Sequence, residues 1–100
     1  MKSLEDEFID SVLTKYGTEI RNLNLSNNGL KSIKKIERFG NNILSLNLSK
    51  NELTDISPLS TFSRLQELDL SENNINNVTP LSALTSVKLL DLRGNDLKSG

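Results

Sequence analysis

The chain has 100 residues, a length typical of a single domain. It contains no cysteine, histidine or tryptophan. This composition excludes a thiol or imidazole nucleophile, an imidazole base, a disulfide and the usual kind of zinc site. The 12 basic and 13 acidic side chains give a net charge of −1, without the positive excess that attracts nucleic acid or anionic lipid. The sequence also has no P-loop, G-x-S-x-G or dinucleotide motif and no apolar stretch long enough to span a membrane. We therefore expect no enzyme activity, no cofactor, no metal site, no nucleic-acid partner and no membrane contact.

The first predicted element is an amphipathic helix from about residue 4 to residue 16, with Ser3 as its N-cap and Gly17 just beyond its end. Its apolar side chains recur at helical spacing and form one stripe: Leu4, Phe8, Ile9, Val12, Leu13 and Tyr16. The polar face is acidic, which argues against binding to anionic membranes. We expect residues 1–19 to form a cap over the hydrophobic end of the elements that follow.

Four segments of the chain then repeat one pattern. They begin at Ile20, Ile43, Leu65 and Val87, and each matches L-x-x-L-x-L-x-x-N-x-L, with spacings of 23, 22 and 22 residues. The pattern resembles the leucine-rich-repeat family, and its length and its later apolar positions resemble the SDS22-like subclass. The resemblance implies a right-handed α/β solenoid with short parallel strands on the concave face and 3₁₀ or helical turns on the convex face. The predicted repeats are 20–42, 43–64, 65–86 and an incomplete 87–100.

The repeat positions also have a direct physical meaning. Leu-x-Leu alternates with a period of two, so each repeat contributes one short strand whose leucines pack on those of the next turn. The asparagine that follows lies where the chain must bend inward, and its amide can satisfy the backbone groups that the bend leaves unpaired. We predict a structural asparagine ladder of Asn28, Asn51, Asn73 and Asn95.

On the return path, a hydroxyl residue precedes proline in Ser57-Pro58 and in Thr79-Pro80. This arrangement predicts an N-cap and a short 3₁₀ turn in repeats two and three. Repeat one has no proline there, and residues 34–38 with one extra residue near 40–42 predict a longer, regular helical turn. Its basic side chains, which are Lys31, Lys34, Lys35 and Arg38, are interpreted as a solvated convex face, because no aromatic stacking residues accompany them.

The outward residues of the strands and bends form the predicted partner-binding surface. Its members are Asn24, Asn47, Lys50, Glu67, Asp69, Glu72, Leu89, Asp91 and Arg93. The third repeat contributes an acidic patch centred on Asp69, which would suit a basic segment of a partner protein. A solvated polar face is the alternative interpretation. Asp69 and Asp91 could also form a carboxylate pair for Ca²⁺ or acid–base chemistry, but the open position and the lack of further ligands argue against it.

The pattern ends within repeat four. Leu90, Leu92 and Leu97 are therefore expected to pack on one side only, and the last strand to present an unpaired edge. We expect either that the chain is a fragment of a longer repeat protein or that another chain covers this edge, so that self-association is a second partner prediction.

The predicted function is that of a non-enzymatic module that binds a protein partner. We expect it to act as a scaffold in the cytoplasm. The settings that the resemblance implies include association with the cytoskeleton or with cilia. One alternative is an internalin-like bacterial surface adhesin, which residues 54–59 and 77–81 favour. The other is a regulatory or anchoring segment of a larger, enzyme-containing protein.

Overall fold

The computed structural model describes residues 4–17, 19–39 and 42–97, and at residues 4–6 it describes the backbone alone. One helix is followed by four three-residue strands: α1 is Leu4–Tyr16, β1 is Asn22–Asn24, β2 is Ser45–Asn47, β3 is Glu67–Asp69 and β4 is Leu89–Asp91. The strands form one parallel sheet in the order β1-β2-β3-β4. The central leucines lie in register across the sheet, in the series Leu23, Leu46, Leu68 and Leu90. The predicted α/β solenoid is confirmed.

Each repeat joins the next through the same backbone contacts. Immediately after the strands, the N–H of Leu25 donates to the carbonyl of Asn47, and the N–H of Leu48 donates to that of Asp69, both at 2.8 Å. At the following bend, the N–H of Lys50 donates to the carbonyl of Ser71 at 2.9 Å. Such bonds satisfy backbone groups that a buried bend would otherwise leave unpaired, so the repeats stack without losing hydrogen bonds.

The core is a column of aliphatic side chains between the strands and the convex turns. Its fully buried members include Leu48, Leu70, Ile36 and Leu59, while Phe39 and Phe62 provide its aromatic volume. Because leucines of successive turns pack on one another, no repeat buries its apolar face alone.

In the described part of the chain, three 3₁₀ turns form the convex side: Ile36–Phe39, Ser57–Thr61 and Thr79–Ala83. The two proline-containing turns confirm the prediction for repeats two and three. Their predicted hydroxyl N-caps are wrong, because Ile56 and Val78 occupy the cap positions and neither makes a side-chain cap bond. The carboxylate of Asp55 instead accepts from the N–H of Ser57 at 2.9 Å. In the same way, the amide oxygen of Asn77 accepts from the N–H of Thr79 at 3.0 Å.

The prediction of a longer, regular helical turn in repeat one is also wrong. Ile36–Phe39 is a four-residue 3₁₀ turn, and its bonds run between residues three apart, as from the N–H of Ile36 to the carbonyl of Ile33 at 3.0 Å. Ile33, Ile36 and Phe39 are all buried. A spacing of three fits a helix with three residues per turn, which keeps all three side chains on the core side. Gly40 and Asn41, where we placed the extra residue, lie outside the described residues.

Helix α1 packs against the first turn of the solenoid. Ile9 and Val12 are buried in the common core, and Phe8 and Leu13 are half-buried beside it. Tyr16, predicted to extend the apolar stripe, is 52% exposed. The helix ends there, because the N–H of Gly17 bonds to the carbonyl of Leu13 at 2.8 Å and Gly17 has φ 77°, a conformation that favours glycine. The predicted N-cap Ser3 lies outside the described residues.

Among the described residues, no helix is both long enough and apolar enough to cross a membrane.

Candidate functional site: the concave surface

Strands β2, β3 and β4 and the residues that follow β4 line a hollow of about 560 Å³ on the concave side of the sheet. Six of the nine predicted partner-binding residues line it: Asn47, Glu67, Asp69, Leu89, Asp91 and Arg93. The hollow opens at β4, where Leu90 and Leu92 contribute to its wall. Asn24, Lys50 and Glu72 lie outside it. Ser45 belongs to it and was absent from the predicted set, although it occupies the same repeat position as Glu67 and Leu89.

The last residue of each of the strands β1, β2 and β3 has a structural role. The side-chain oxygen of Asp69 accepts from the N–H of Ser71 at 2.9 Å and from its hydroxyl at 2.7 Å. Asn47 makes the same two bonds to Ser49, and Asn24 accepts from the N–H of Ser26 at 2.9 Å. These side chains hold the turn that follows each strand, as asparagine and aspartate do in Asx turns. A variant at this position must therefore keep an acceptor oxygen.

Asp91 is paired within the chain. Its carboxylate accepts from the guanidinium of Arg93 at 2.7 Å and from the backbone N–H of the same residue at 3.1 Å. The guanidinium, and secondly the N–H, hold the pKa of Asp91 below its ordinary value, while the carboxylate raises the pKa of Arg93. The sequence predicted charges of both signs here, and the structure brings them together as one ion pair.

The remaining negative charge of the hollow belongs to the third repeat. Glu67 is exposed and Asp69 is half-buried, and neither forms an ion pair with the other described residues. Leu89 follows Glu67 in the strand register and is 64% exposed. The surface thus places the carboxylates of Glu67 and Asp69 beside the exposed aliphatic side chain of Leu89.

Lys50 and Glu72 lie at the bend that follows the strand, and their backbones are left-handed, with φ 57° and 56°. Asn27 has φ 56° at the same repeat position, and glycine occupies it in repeat four, where Gly94 has φ 74°. A second hollow of about 340 Å³ brings Glu72 next to Arg93 and Gly94. Lys50 and Glu72 therefore lie at the rim of the concave surface. The glycine at the same position of repeat four, Gly94, was the sequence signal for a left-handed backbone at this position.

The asparagines of the predicted ladder connect consecutive repeats. The side-chain amide of Asn51 donates to the carbonyls of Leu25 and Leu48, at 3.1 and 2.9 Å, and its oxygen accepts from the N–H of Leu30 at 3.0 Å. Asn73 and Asn95 make the equivalent bonds one and two repeats further on. Asn28 is different, because it is exposed and its amide donates only to the carbonyl of Ser26 among the described residues. Each of the three later asparagines thus serves its own repeat and the preceding one.

The basic cluster of the convex side contacts α1. The guanidinium of Arg38 lies 2.6 Å from the carboxylate of Asp10, and the ammonium of Lys35 lies 3.9 Å from it. These contacts explain part of the cluster as a link between the helix and the first turn. Among the described residues, no group of three acidic side chains is placed to hold a metal ion.

Comparison with known proteins agrees with this architecture. The family profile described as leucine rich repeat matches residues 45–97, which is more than half of the chain. The chain belongs to the leucine-rich-repeat family. A comparison with curated proteins finds no match.

Several solved structures resemble the chain over most of its length. Internalin C2 from Listeria monocytogenes is 28% identical with a TM-score of 0.78, over 83% of this chain and 36% of that one. The leucine-rich-repeat domain of APL1B superposes with a TM-score of 0.64 at 16% identity, over 100% of this chain and 39% of that one. The Chaetomium Mex67:Mtr2 structure gives a TM-score of 0.57 at 24% identity, over 93% of this chain and 76% of that one. The last two show the fold alone. The chain spans little more than a third of the internalin and of the APL1B domain.

Proposed function

We propose that these leucine-rich repeats bind another protein on their concave surface, and that the bound segment carries a basic side chain next to an apolar one. The observation that carries the proposal is the arrangement of Glu67 and Asp69 beside the exposed Leu89 in one hollow. Leucine-rich repeats are typically modules for protein–protein interaction, which gives the general function. The chemistry of the hollow supports the proposed class of partner.

The two carboxylates and the exposed leucine have separate roles in the proposed binding. The two carboxylates attract and orient a basic segment, since charge complementarity affects association rate and specificity more than affinity. Leu89 supplies apolar contact area, which releases water when it is covered. Asp91 adds little attraction because Arg93 neutralises it. Four strands span only about 15 Å of sheet, so a full interface of roughly 800 Å² would extend beyond the hollow.

The experiment selects random peptides displayed on phage against the folded chain and measures binding of the selected peptides to two double variants. Glu67→Lys with Asp69→Asn replaces two negative charges by one positive charge but keeps the acceptor oxygen that Asp69 offers to Ser71. The matched control on the convex side is Glu37→Lys with Asp55→Asn, since Asp55 has the same bond to Ser57. Both variants change the net charge equally.

The selected peptides should pair a basic residue with an apolar one, and the concave variant should bind them about two- to tenfold more weakly. The convex variant should bind them as the wild type does, and Leu89→Ser should also weaken binding. Equal affinity for both double variants would contradict the concave site. Stronger loss in the convex variant would place binding on the other face.

We also propose that the repeats are of the SDS22-like subclass, which the repeat length and the buried residues of the first two 3₁₀ turns support.

A second candidate function is that of a segment of an internalin-like surface protein. The likeness to internalin C2, together with the two Pro-containing turns, favours it. The full-length gene product tests this candidate, since a secretory leader and a wall anchor would support it and their absence would contradict it.

A further inference from the structure

The chain contains 13 asparagines, and Asn28 alone is followed by glycine. The backbone nitrogen that follows an asparagine can attack the asparagine side-chain carbonyl and close a five-membered ring. A side chain on the following residue hinders this approach, and glycine has none. Asn28-Gly29 is therefore the sequence in this chain most open to that reaction.

The asparagine ladder provides an internal comparison at one repeat position. Asn51 and Asn73 are 7% and 5% exposed, and the amide nitrogen of each donates to three backbone carbonyls. These bonds fix the side chain and shield its carbonyl carbon from water. Asn28 is exposed, and within the described part of the chain its amide nitrogen donates one bond, of 2.9 Å, to the carbonyl of Ser26. The ring closure requires rotation of the side chain, and fewer hydrogen bonds oppose this rotation at Asn28 than at Asn51 or Asn73.

Gly29 is also accessible. It is exposed, and its N–H makes no hydrogen bond with the described part of the chain. An added Cβ would meet a single side-chain atom, a carboxylate oxygen of Glu52 at 3.7 Å, so the surroundings of the residue are open. The attacking nitrogen is thus neither buried nor held by a ladder bond.

We propose that Asn28 is a site of spontaneous deamidation in the folded protein. The backbone nitrogen of Gly29 bonds to Cγ of Asn28 and loses its proton, and the Cγ–Nδ2 bond breaks, so that Nδ2 leaves as ammonia. Water then opens the succinimide at one of its two carbonyls. The products are aspartate, or isoaspartate in which the main chain runs through the former side chain, and water is the only co-reactant.

The isoaspartate product would disturb the junction between the first two repeats. The N–H of Asn28 and that of Leu30 both donate to the side-chain oxygen of Asn51, each at 3.0 Å. Isoaspartate adds one methylene to the main chain between these two donors, so both can no longer converge on the oxygen. Aspartate leaves the main-chain spacing unchanged. The two products therefore differ in their effect on the same pair of bonds.

The experiment incubates the folded chain at mildly alkaline pH and follows each asparagine by peptide mass mapping. Isoaspartate is identified by methyl transfer from S-adenosylmethionine with a protein isoaspartyl methyltransferase. Residue 28 should convert at least about tenfold faster than any other asparagine, which corresponds to a barrier lower by roughly 1.4 kcal/mol. Asn28→Gln should abolish the signal, and the matched variant Asn76→Gln, at an exposed position without a following glycine, should leave it unchanged.

The same incubation in urea separates the role of the fold from that of the sequence. Conversion of residue 28 in the unfolded chain but not in the folded one would overturn the proposal, as would faster conversion of another asparagine in the folded chain. Amide hydrogen exchange gives a second readout. The isoaspartate form should show faster exchange at Leu30 than the Asn28→Asp variant, and equal exchange would contradict the inferred loss of the Asn51 bonds.

Discussion

The two ends of the solenoid carry the same leucine pattern but differ in burial. Leu23 of β1 is 5% exposed, whereas Leu90 of β4, in the same repeat position, is 46% exposed. Helix α1 and the second repeat cover the first turn, while among the described residues only the third repeat covers the last turn. The repeat motif thus specifies which face of a strand is apolar, and a neighbour is needed on each side before that face is buried.

The largest expected effect is on matched leucines in the middle and at the end of the sheet. Leu68→Ala should lower the free energy of unfolding by about 2–5 kcal/mol, because Leu68 is 2% exposed and its loss opens a cavity between stacked turns. Its register partner Leu90 is nearly half exposed, so Leu90→Ala should cost only roughly 1 kcal/mol. Urea unfolding measures both. Equal losses would show that β4 is covered in solution, by self-association or otherwise, and sedimentation would then report the oligomeric state.

A smaller difference is expected for two ladder asparagines. Asn73→Ala removes one acceptor and donors to three carbonyls in a buried bend, and should cost about 2–4 kcal/mol. Asn95 makes the equivalent bonds to Leu70, Leu92 and Ile75, but it is half-buried, so water can replace them in part. Asn95→Ala should cost about half as much. Thermal unfolding compares the two, and a larger effect of Asn95→Ala would contradict the greater solvation of the last bend.

The smallest effects concern one arginine at each end. Arg38→Ala removes the ion pair between the convex turn and Asp10 of α1, and should cost about 0.2–1 kcal/mol, less at high salt. Arg93→Ala removes an exposed pair that lies wholly within the last repeat, so it should lower the stability at neutral pH by less than Arg38→Ala does. It should raise the pKa of Asp91 toward its ordinary value. Carboxyl NMR titration of the wild type and the variant checks this shift, and an unchanged titration midpoint of Asp91 would contradict the pairing.

The pairing of Asp91 with Arg93 determines how the free energy of unfolding changes with pH. A carboxyl whose folded-state pKa is lowered stabilises the folded chain above its ordinary pKa, and this contribution disappears as the pH falls through the folded-state value. Asp55 behaves in the same direction, since the N–H and then the hydroxyl of Ser57 lower its pKa. Both contributions are present at neutral pH and are lost only in acid.

Much of the fold could be predicted because the same sequence pattern recurs in four segments, so each type of element is indicated more than once. Leu-x-Leu predicted the strands and their buried faces, and Ser57-Pro58 and Thr79-Pro80 predicted 3₁₀ turns. Two of the wrong predictions concern a single side chain that can have one of several local roles. The sequence predicts a cap at Ser57, but Asp55 supplies the bond, and it predicts an apolar stripe that includes Tyr16, but Tyr16 is exposed.

The candidate site was predictable as a set of positions, but not as a pattern of free charges. The period, the apolar face of each strand and the chemical types on the concave surface follow from residue spacing alone, so the sequence was sufficient to predict them. The structure was needed to show that Asp91 pairs with Arg93 and that Asp69 holds a turn, because these bonds depend on the backbone conformation after each strand. It was also needed to show that Asn28 is exposed while Asn51 is buried, because identical motifs in different repeats have different stacked neighbours.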